Sequence, residues 1–125
     1  MDLKKFEDLR GHTLKDIQNI DDEEIIFTLE DDSQYRLHHI QDCCESVVVE
    51  DIAGDLRDLV GSPILLAEEV SSEENPPDAH PETIAYQDSF TWTFYKLSTI
   101  RGSVTIRWYG ESNGYYSESV DFDEV

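Results

Sequence analysis

The sequence predicts an α+β fold, a mostly antiparallel β-sheet of about seven or eight strands with one or two short helices packed on it. Residues 89–97 alternate large aromatic and smaller polar side chains, the period of two that is typical of a strand. Asn113-Gly114 is a dipeptide that favours a type I′ turn between two strands. A chain of 125 residues has the length of one domain, so residues 1–125 are expected to share one core.

The first half of the chain contains signals for a helix, a hairpin and a second helix. Residues 1–10 place apolar side chains at intervals of three, which predicts a short amphipathic helix. Residues 24–30 and 34–40 are rich in β-branched and aromatic side chains and flank an Asp-Asp-Ser turn, which predicts a β-hairpin. Residues 51–61 carry one apolar stripe with Asp51 as the N-cap, and they predict the second helix.

Four further segments complete this part of the chain. Residues 13–20 have apolar residues at mixed spacing that fit either a strand or a helix. Residues 44–50 and 64–70 are predicted strands, and the adjacent apolar residues at the start of the second one indicate burial on both faces. Residues 71–88 combine prolines with many charges and are expected to form a long irregular loop, either a solvated connection or a lid.

The last third of the chain, residues 89–122, is predicted to form three consecutive antiparallel strands. The third strand is expected to return from the turn at Asn113-Gly114 and to pair with the strand before it. Large apolar side chains of the first two strands are expected to be mostly buried on one face, and they are Phe90, Trp92, Phe94, Val104, Ile106 and Trp108.

The charge of the chain limits the classes of partner. Aspartates and glutamates number 29 against 9 lysines and arginines, a formal net charge of −20. Such a charge repels nucleic acids and anionic membranes, so neither is an expected direct partner. The sequence has no long apolar run and no signal-peptide pattern in its first residues, which predicts a cytoplasmic protein.

Cys43 and Cys44 are the two cysteines of the chain, and they are adjacent. A disulfide between neighbouring residues requires a distorted peptide, so the sequence predicts two free thiols. Free thiols fit a reducing compartment and therefore agree with a cytoplasmic location.

The segment around the cysteines contains residue types that bind metals or act as catalysts. Neighbouring residues of an extended chain point to opposite faces, so their spacing suits a metal poorly. The carboxylate of Asp42 would raise the pKa of a nearby thiol and weaken a cysteine nucleophile. We therefore predict no cofactor and no catalytic residue, with a metal- or thiol-dependent enzyme as an alternative. The weak candidates for metal ligands are His38, His39, Cys43 and Cys44.

The few arginines within predicted strands indicate where an anion could bind. Arg36 and Arg107 lie in mid-strand, where each has the alternative of pairing with a neighbouring carboxylate. A guanidinium can clamp a phosphate while an aromatic ring stacks on a base, which would make a nucleotide site. The arginines would hold phosphate, the aromatic residues would stack, and the others would make polar contacts. The predicted ligand-binding residues are Arg36, His39, Asp42, Trp92, Tyr95, Arg107, Tyr109 and Asn113.

Two motifs carry a resemblance to a family of proteins. The first is HIQDCCE at residues 39–45, and the second is TIRWYGESNGYYS at residues 105–117. The chain resembles an uncharacterised family of small proteins that phages and bacterial genomes carry. In that family an HxQDCCE segment precedes a valine-rich strand and a short helix, and a TIRWxGxSNGYYS hairpin lies near the end. The resemblance covers roughly residues 35–122 and implies a phage accessory gene product.

This resemblance and the acidic composition together lead to one predicted function and one main alternative. We expect a non-enzymatic, phage-type binding protein that counters host defence by sequestering a nucleotide immune signal. The alternative is an acidic, DNA-mimic-like inhibitor of a basic host defence protein, such as a CRISPR or restriction component. Both functions place the protein in the host cytoplasm, and a homo-oligomer fits the first of them.

Overall fold

The computed structural model describes residues 2–125, which contain eight strands. They form two four-stranded antiparallel sheets, a first sheet in the order β1-β2-β3-β8 and a second sheet in the order β4-β7-β6-β5. One cluster of buried apolar side chains takes members from both sheets. The prediction of a mostly antiparallel β protein is therefore confirmed. The strands are β1 (Leu14–Ile20), β2 (Glu24–Leu29), β3 (Gln34–His38), β4 (Ser46–Ala53), β5 (Leu66–Ser72), β6 (Ser89–Thr99), β7 (Gly102–Ser112) and β8 (Asp121–Glu124).

Helical structure in residues 2–125 is limited to short turns. They are a 3-10 turn at Phe6–Leu9, a 3-10 turn at Leu56–Leu59 and the four-residue α-helix α1 at Pro81–Ile84. The helix predicted for residues 1–10 is thus reduced to the first of these turns, and Met1 lies outside the described residues. No helix in residues 2–125 is long and apolar enough to cross a membrane.

The helix predicted for residues 51–61 is wrong. Residues 51–53 continue β4 and pair with β7. The cap of the following 3-10 turn is Asp55 and not Asp51, since the Asp55 carboxylate accepts the Arg57 N–H at 2.9 Å. A short isolated helix is only marginally stable in water, whereas a neighbouring strand provides hydrogen-bond partners for the backbone. The pairing with β7 therefore overrides the local helical pattern.

The predicted hairpin of residues 24–30 and 34–40 is confirmed by β2 and β3. These strands pair antiparallel, with Phe27 opposite Tyr35. β1 pairs along the other edge of β2, so residues 13–20 contain a strand and not a helix. The side chains of Phe27 and Tyr35 are buried in the shared core, as the alternation of β2 and β3 requires.

The hairpin of β6 and β7 confirms two of the three strands predicted in residues 89–122. The third is placed wrongly, because β8 pairs with β3 of the first sheet, with Phe122 opposite Leu37. The free edge of β7 is taken by β4, where Val49 lies opposite Trp108. A strand has two edges, and those of β7 are occupied by β4 and β6. The returning chain therefore pairs with a strand of the other sheet.

The prediction that the six large side chains named for β6 and β7 are mostly buried on one face is wrong, because they are divided between two faces. Residues opposite each other in an antiparallel pair lie on the same face. Trp92 lies opposite Tyr109 and Phe94 lies opposite Arg107, so these side chains are on the outer face. The inner face of β7 is formed by Val104, Ile106 and Trp108, all buried. Across from them, Thr93, Tyr95 and Leu97 of β6 are also buried.

The strand predicted at residues 64–70 is confirmed as β5, but its burial on both faces is wrong. β5 is an edge strand that pairs with β6 alone. Within β5, Ala67 is buried, whereas Val70 is 42% exposed, and Leu65 just before the strand is 54% exposed. A run of apolar residues at a sheet edge therefore leaves part of its surface in solvent.

Candidate ligand site

The outer face of the second sheet carries a cluster of aromatic and charged side chains around one arginine. We call Trp92, Arg107 and Tyr109 the arginine–aromatic face. The Arg107 Cζ lies 5.3 Å from the centroid of the Trp92 ring, in a cation–π arrangement. The rings of Trp92 and Tyr109 are 4.6 Å apart. All three residues are buried, although they lie on the side of the sheet that faces away from the core.

The covering element is the connection between β5 and β6, residues 73–88. Asn75 Oδ1 accepts the indole N–H of Trp92 at 2.9 Å. Asn75 and Gln87 exchange two amide hydrogen bonds of 2.8 Å. Gln87 also donates to the Tyr109 hydroxyl at 3.0 Å. The long irregular loop predicted for residues 71–88 thus exists over 73–88, and its amides close it over the aromatic rings.

Arg107 is held by two carboxylates of different origin. Its Nε–H donates to Glu50 of β4 at 2.8 Å, and a second nitrogen lies 2.6 Å from the same Glu50 oxygen. Another N–H donates to Asp78 of the loop at 2.8 Å. Burial disfavours the guanidinium charge, but the hydrogen bonds to these carboxylates outweigh it and raise the pKa of Arg107 above its ordinary value.

The two carboxylates differ in exposure. The Glu50 side chain is 4% exposed, while the Asp78 side chain is 76% exposed. The second oxygen of Glu50 accepts the backbone N–H of His80 at 2.9 Å, so Glu50 also ties the loop to the sheet. The hydrogen bond from Arg107 lowers the pKa of Asp78, which is therefore ionised at neutral pH. Asp78 can leave Arg107 for solvent at low cost, and Glu50 cannot.

Tyr109 is a neutral hydrogen-bond donor at neutral pH. Burial, followed by the nearby Glu111 carboxylate, raises the pKa of Tyr109 to about 12. Its hydroxyl donates to Glu111 at 2.7 Å and accepts from Gln87. The face therefore combines one cation, two large rings and one neutral hydroxyl.

Arg36, Tyr95 and Asn113 lie elsewhere. Arg36 belongs to the first sheet and bonds Glu24 and Asp123 at 3.2 Å each. The Tyr95 ring packs in the core, on the opposite face of the second sheet, so it cannot stack on a ligand held by Arg107. Asn113 accepts the backbone N–H of Tyr115 at 3.0 Å within a turn. Of the eight predicted ligand-binding residues, the structure brings Trp92, Arg107 and Tyr109 together.

His39 and Asp42 lie in another loop, residues 39–45, which joins β3 to β4. The ring of His39 contacts Glu45 Oε2 at 2.7 Å through Nε2 and the Ser119 carbonyl oxygen at 2.8 Å through Nδ1. The Glu45 carboxylate also accepts the backbone N–H groups of Asp42 at 2.8 Å and Cys43 at 2.9 Å. The hydrogen bonds from His39 and then from Cys43 lower the pKa of Glu45 to about 2. Glu45 anchors this loop as a buried anion.

The prediction of two free thiols is wrong, because Cys43 and Cys44 are joined in a vicinal disulfide. The Glu45 carboxylate accepts the N–H groups of Asp42 and Cys43, and the disulfide lies in the turn that these hydrogen bonds hold. With both sulfurs bonded to each other, neither is a free thiolate that His39 could activate.

The weak metal candidates do not form a metal site in the structure. His38 Nε2 lies 2.9 Å from Asp123, and both ring nitrogens of His39 are occupied as described. Among residues 2–125, no group of three or more histidine, cysteine, aspartate or glutamate side chains is arranged to hold a metal ion.

Sequence reasoning did not identify the loop and strand residues that bond to the arginine–aromatic face. Glu50 and Asp78 bond to Arg107, and Asn75 and Gln87 bond to Trp92 and Tyr109. Asn75 and Gln87 are uncharged amides in a stretch dominated by prolines and carboxylates, which is a weak signal for a hydrogen-bonding role. Nothing in the sequence separates Glu50 or Asp78 from the other acidic residues.

The fold and the face together define a small antiparallel β protein with a loop-covered candidate site on one sheet. The model of a domain of unknown function, DUF7448, matches residues 7–122, so the chain belongs to this family. The predicted membership of an uncharacterised family is thereby confirmed, while its motifs and its phage setting stay predictions. No curated protein matches the chain. No solved structure matches it either.

Proposed function

We propose that this protein is a non-enzymatic binding protein that holds a nucleotide-type ligand on the arginine–aromatic face. The observation that supports the proposal is the position of Arg107. It lies over the Trp92 ring, with a buried carboxylate on one side and the 76% exposed Asp78 on the other. A ligand phosphate can replace the Asp78 carboxylate, because both are anions that accept hydrogen bonds from a guanidinium.

The same face also has aromatic rings that support binding of the base of a nucleotide. Trp92 and Tyr109 present adjacent rings on which a base can stack. The loop reaches these rings through the neutral amides of Asn75 and Gln87. The polar edge of a base can take over those hydrogen bonds, so binding requires residues 73–88 to move aside as a lid.

Replacement of Asp78 is the sharpest test of this proposal. We expect Asp78→Asn to bind the nucleotide up to about tenfold more tightly than the wild type, since the anion that competes for Arg107 is removed. Isothermal titration calorimetry with cyclic dinucleotides, cyclic trinucleotides and cyclic ADP-ribose isomers measures the effect. Glu82→Gln is the matched control, because Glu82 is 78% exposed in the same loop and its ion-pair contact is with His80.

A second substitution tests the cation itself. Arg107→Lys keeps the charge beside Glu50 but removes the planar fork of donors, so nucleotide binding should fall below detection. Absence of binding by both the wild type and Asp78→Asn across the whole panel would show that the proposal is wrong. The phage-type role in countering host defence depends on the same panel, because it requires an immune nucleotide as the ligand.

The acidic surface supports the alternative of an inhibitor that binds a basic defence protein. The turns at both ends of the β2 strand expose carboxylates, and these belong to Asp21, Asp22, Glu23, Glu30, Asp31 and Asp32. A decoy of this kind spreads its binding energy over many charges and is strongly weakened by salt. This alternative would be favoured if the protein captures a basic protein that 0.5 M salt releases (about three times physiological ionic strength) and binds no nucleotide in the titrations.

A further inference from the structure

We propose that Cys43–Cys44 is a reversible thiol–disulfide site whose oxidation state controls the order of the loop at residues 39–45. Both cysteines are exposed, and they are bonded to each other. A reducing dithiol in solution can therefore reach either sulfur atom. The site is separate from the arginine–aromatic face, and the proposal does not depend on a nucleotide ligand.

The loop that carries the disulfide is fastened to the rest of the protein through Glu45. Its buried carboxylate accepts the N–H of Asp42 and the N–H of Cys43. The side-chain amide of Gln41 donates to the Glu45 backbone carbonyl at 2.7 Å. The disulfide thus forms part of a turn in which one carboxylate gathers the backbone donors.

The same carboxylate connects the disulfide to the second crossing between the sheets. Residues 39–45 lead from the first sheet to the second, and residues 113–120 lead from the second sheet back to the first. His39 joins the two crossings, because one ring nitrogen contacts Glu45 and the other contacts the Ser119 carbonyl oxygen. A change at Cys43 is therefore one hydrogen bond from Glu45 and three from Ser119.

A cleft of about 500 Å³ adjoins this junction. Its walls include His39 and Glu45, so it changes shape if the junction loosens.

The chemical step is a thiol–disulfide exchange with a dithiol. A thiolate of the dithiol attacks one cysteine sulfur, a mixed disulfide forms, and the other cysteine sulfur leaves as a thiolate that takes up a proton. The second thiol of the dithiol then displaces the first cysteine sulfur, which is protonated in turn. Two electrons and two protons pass to Cys43 and Cys44, and the dithiol becomes a cyclic disulfide.

Reduction opens the ring that includes the peptide between the two cysteines. The turn then has more conformations to choose from, which weakens the hydrogen bonds that depend on it. We expect faster amide exchange in residues 39–45 of the reduced protein and in residues 115–120, where Ser119 contacts His39. The strands β6 and β7 should exchange alike in both states.

Thiol titration of the full chain in denaturant, with and without prior dithiothreitol, tests the redox half of the proposal. The oxidised protein should show no thiol, and the reduced protein should show both cysteines of the chain. Dilution of dithiothreitol in air should restore the oxidised form as a monomer. The proposal would be overturned if the protein purified without reductant had two thiols that resist oxidation. Disulfide-linked dimers on reoxidation would also overturn it.

Hydrogen exchange with mass spectrometry tests the structural half. The wild type should exchange faster in residues 39–45 and 115–120 after dithiothreitol, by severalfold. Cys43→Ser and Cys44→Ser are the controls, because each leaves one thiol and no intramolecular bond, so dithiothreitol should not change their exchange. Equal exchange of the oxidised and reduced wild type would overturn the coupling to loop order.

Discussion

At the scale of single residues, the environment of each charge decides its role more than its residue type does. Arg36 and Arg107 both lie in mid-strand and both pair with two carboxylates. Arg107 differs because it is buried over an aromatic ring and beneath a loop. The carboxylates show the same contrast, since Glu45 is a buried anchor while Asp42, three residues before it, has an exposed side chain.

The pKa of Glu45 predicts how stability depends on acidity. Its folded-state pKa of about 2 lies below its ordinary value of 4.5, so the stabilisation it provides is complete above pH 4.5 and is lost as the pH falls toward 2. We expect Glu45→Gln to be less stable than the wild type at pH 7. As the pH falls from the ordinary pKa of 4.5 to the folded-state pKa of about 2, this variant should lose less stability than the wild type. Urea unfolding at a series of pH values measures the difference.

The control for this prediction is Asp42→Asn in the same loop. Its side chain is exposed, and the bond that this residue makes to Glu45 comes from its backbone N–H. This variant should keep the acid sensitivity of the wild type. An acid profile of Glu45→Gln that matches the wild type would contradict the role of Glu45 as a buried anion.

At the scale of elements, the segment from residue 113 to residue 120 decides how the two sheets are joined. It passes so close to β7 that a Cβ atom at Gly110 would lie 2.5 Å from the Glu118 carbonyl oxygen. The Glu118 side chain accepts hydrogen bonds from Thr91 at 2.8 Å and Ser112 at 2.6 Å. Glycine at position 110 and three polar side chains therefore hold the crossing against the end of the β6–β7 hairpin.

Replacement of Gly110 should loosen this crossing. We expect Gly110→Ala to lower the free energy of unfolding by about 1 to 3 kcal/mol, because backbone atoms must shift to admit the new methyl group. Denaturant unfolding measures the loss, and hydrogen exchange of residues 115–120 should accelerate. Gly114→Ala is the control, because Gly114 has a φ of +96° but open space around it. It should cost about 1 kcal/mol through backbone strain and leave the exchange of that segment unchanged.

At the scale of the whole molecule, the excess of negative charge opposes folding. The formal net charge is −20, and few of the carboxylates have a cationic partner among residues 2–125. Compaction brings these like charges together, and dissolved salt screens their repulsion. The core formed between the two sheets has to supply the free energy that overcomes it.

Salt should therefore stabilise this protein. We expect the thermal unfolding midpoint to rise steeply with NaCl up to about 0.15 M and to level off beyond, as the screening length falls below the spacing of surface charges. Differential scanning calorimetry at a series of salt concentrations provides the measurement. A falling midpoint would show that ion pairs such as Arg36 with Glu24 and Asp123 outweigh the general repulsion.

The local pattern of the sequence was sufficient for most of the strands and for two hairpins. β2 and β3 follow from β-branched and aromatic residues on either side of a turn, and β6 and β7 from strict alternation. Arg107 and Tyr109 were also recognisable as neighbours, because residues two apart on a strand share a face. These features depend on contacts close in sequence, and local pattern contains that information.

The tertiary structure alone decided which face of β6 is buried in the core, which sheet β8 joins, and what covers Arg107. Alternation with a period of two is the same whichever way a strand is turned, and both faces of β6 carry large side chains. The register with β7 places Trp92 beside Tyr109 and away from the core. The contact of Asp78 with Arg107 spans 29 residues, and that of Arg36 with Asp123 spans 87. Such contacts form only when distant segments are brought together, so no window of the sequence contains them.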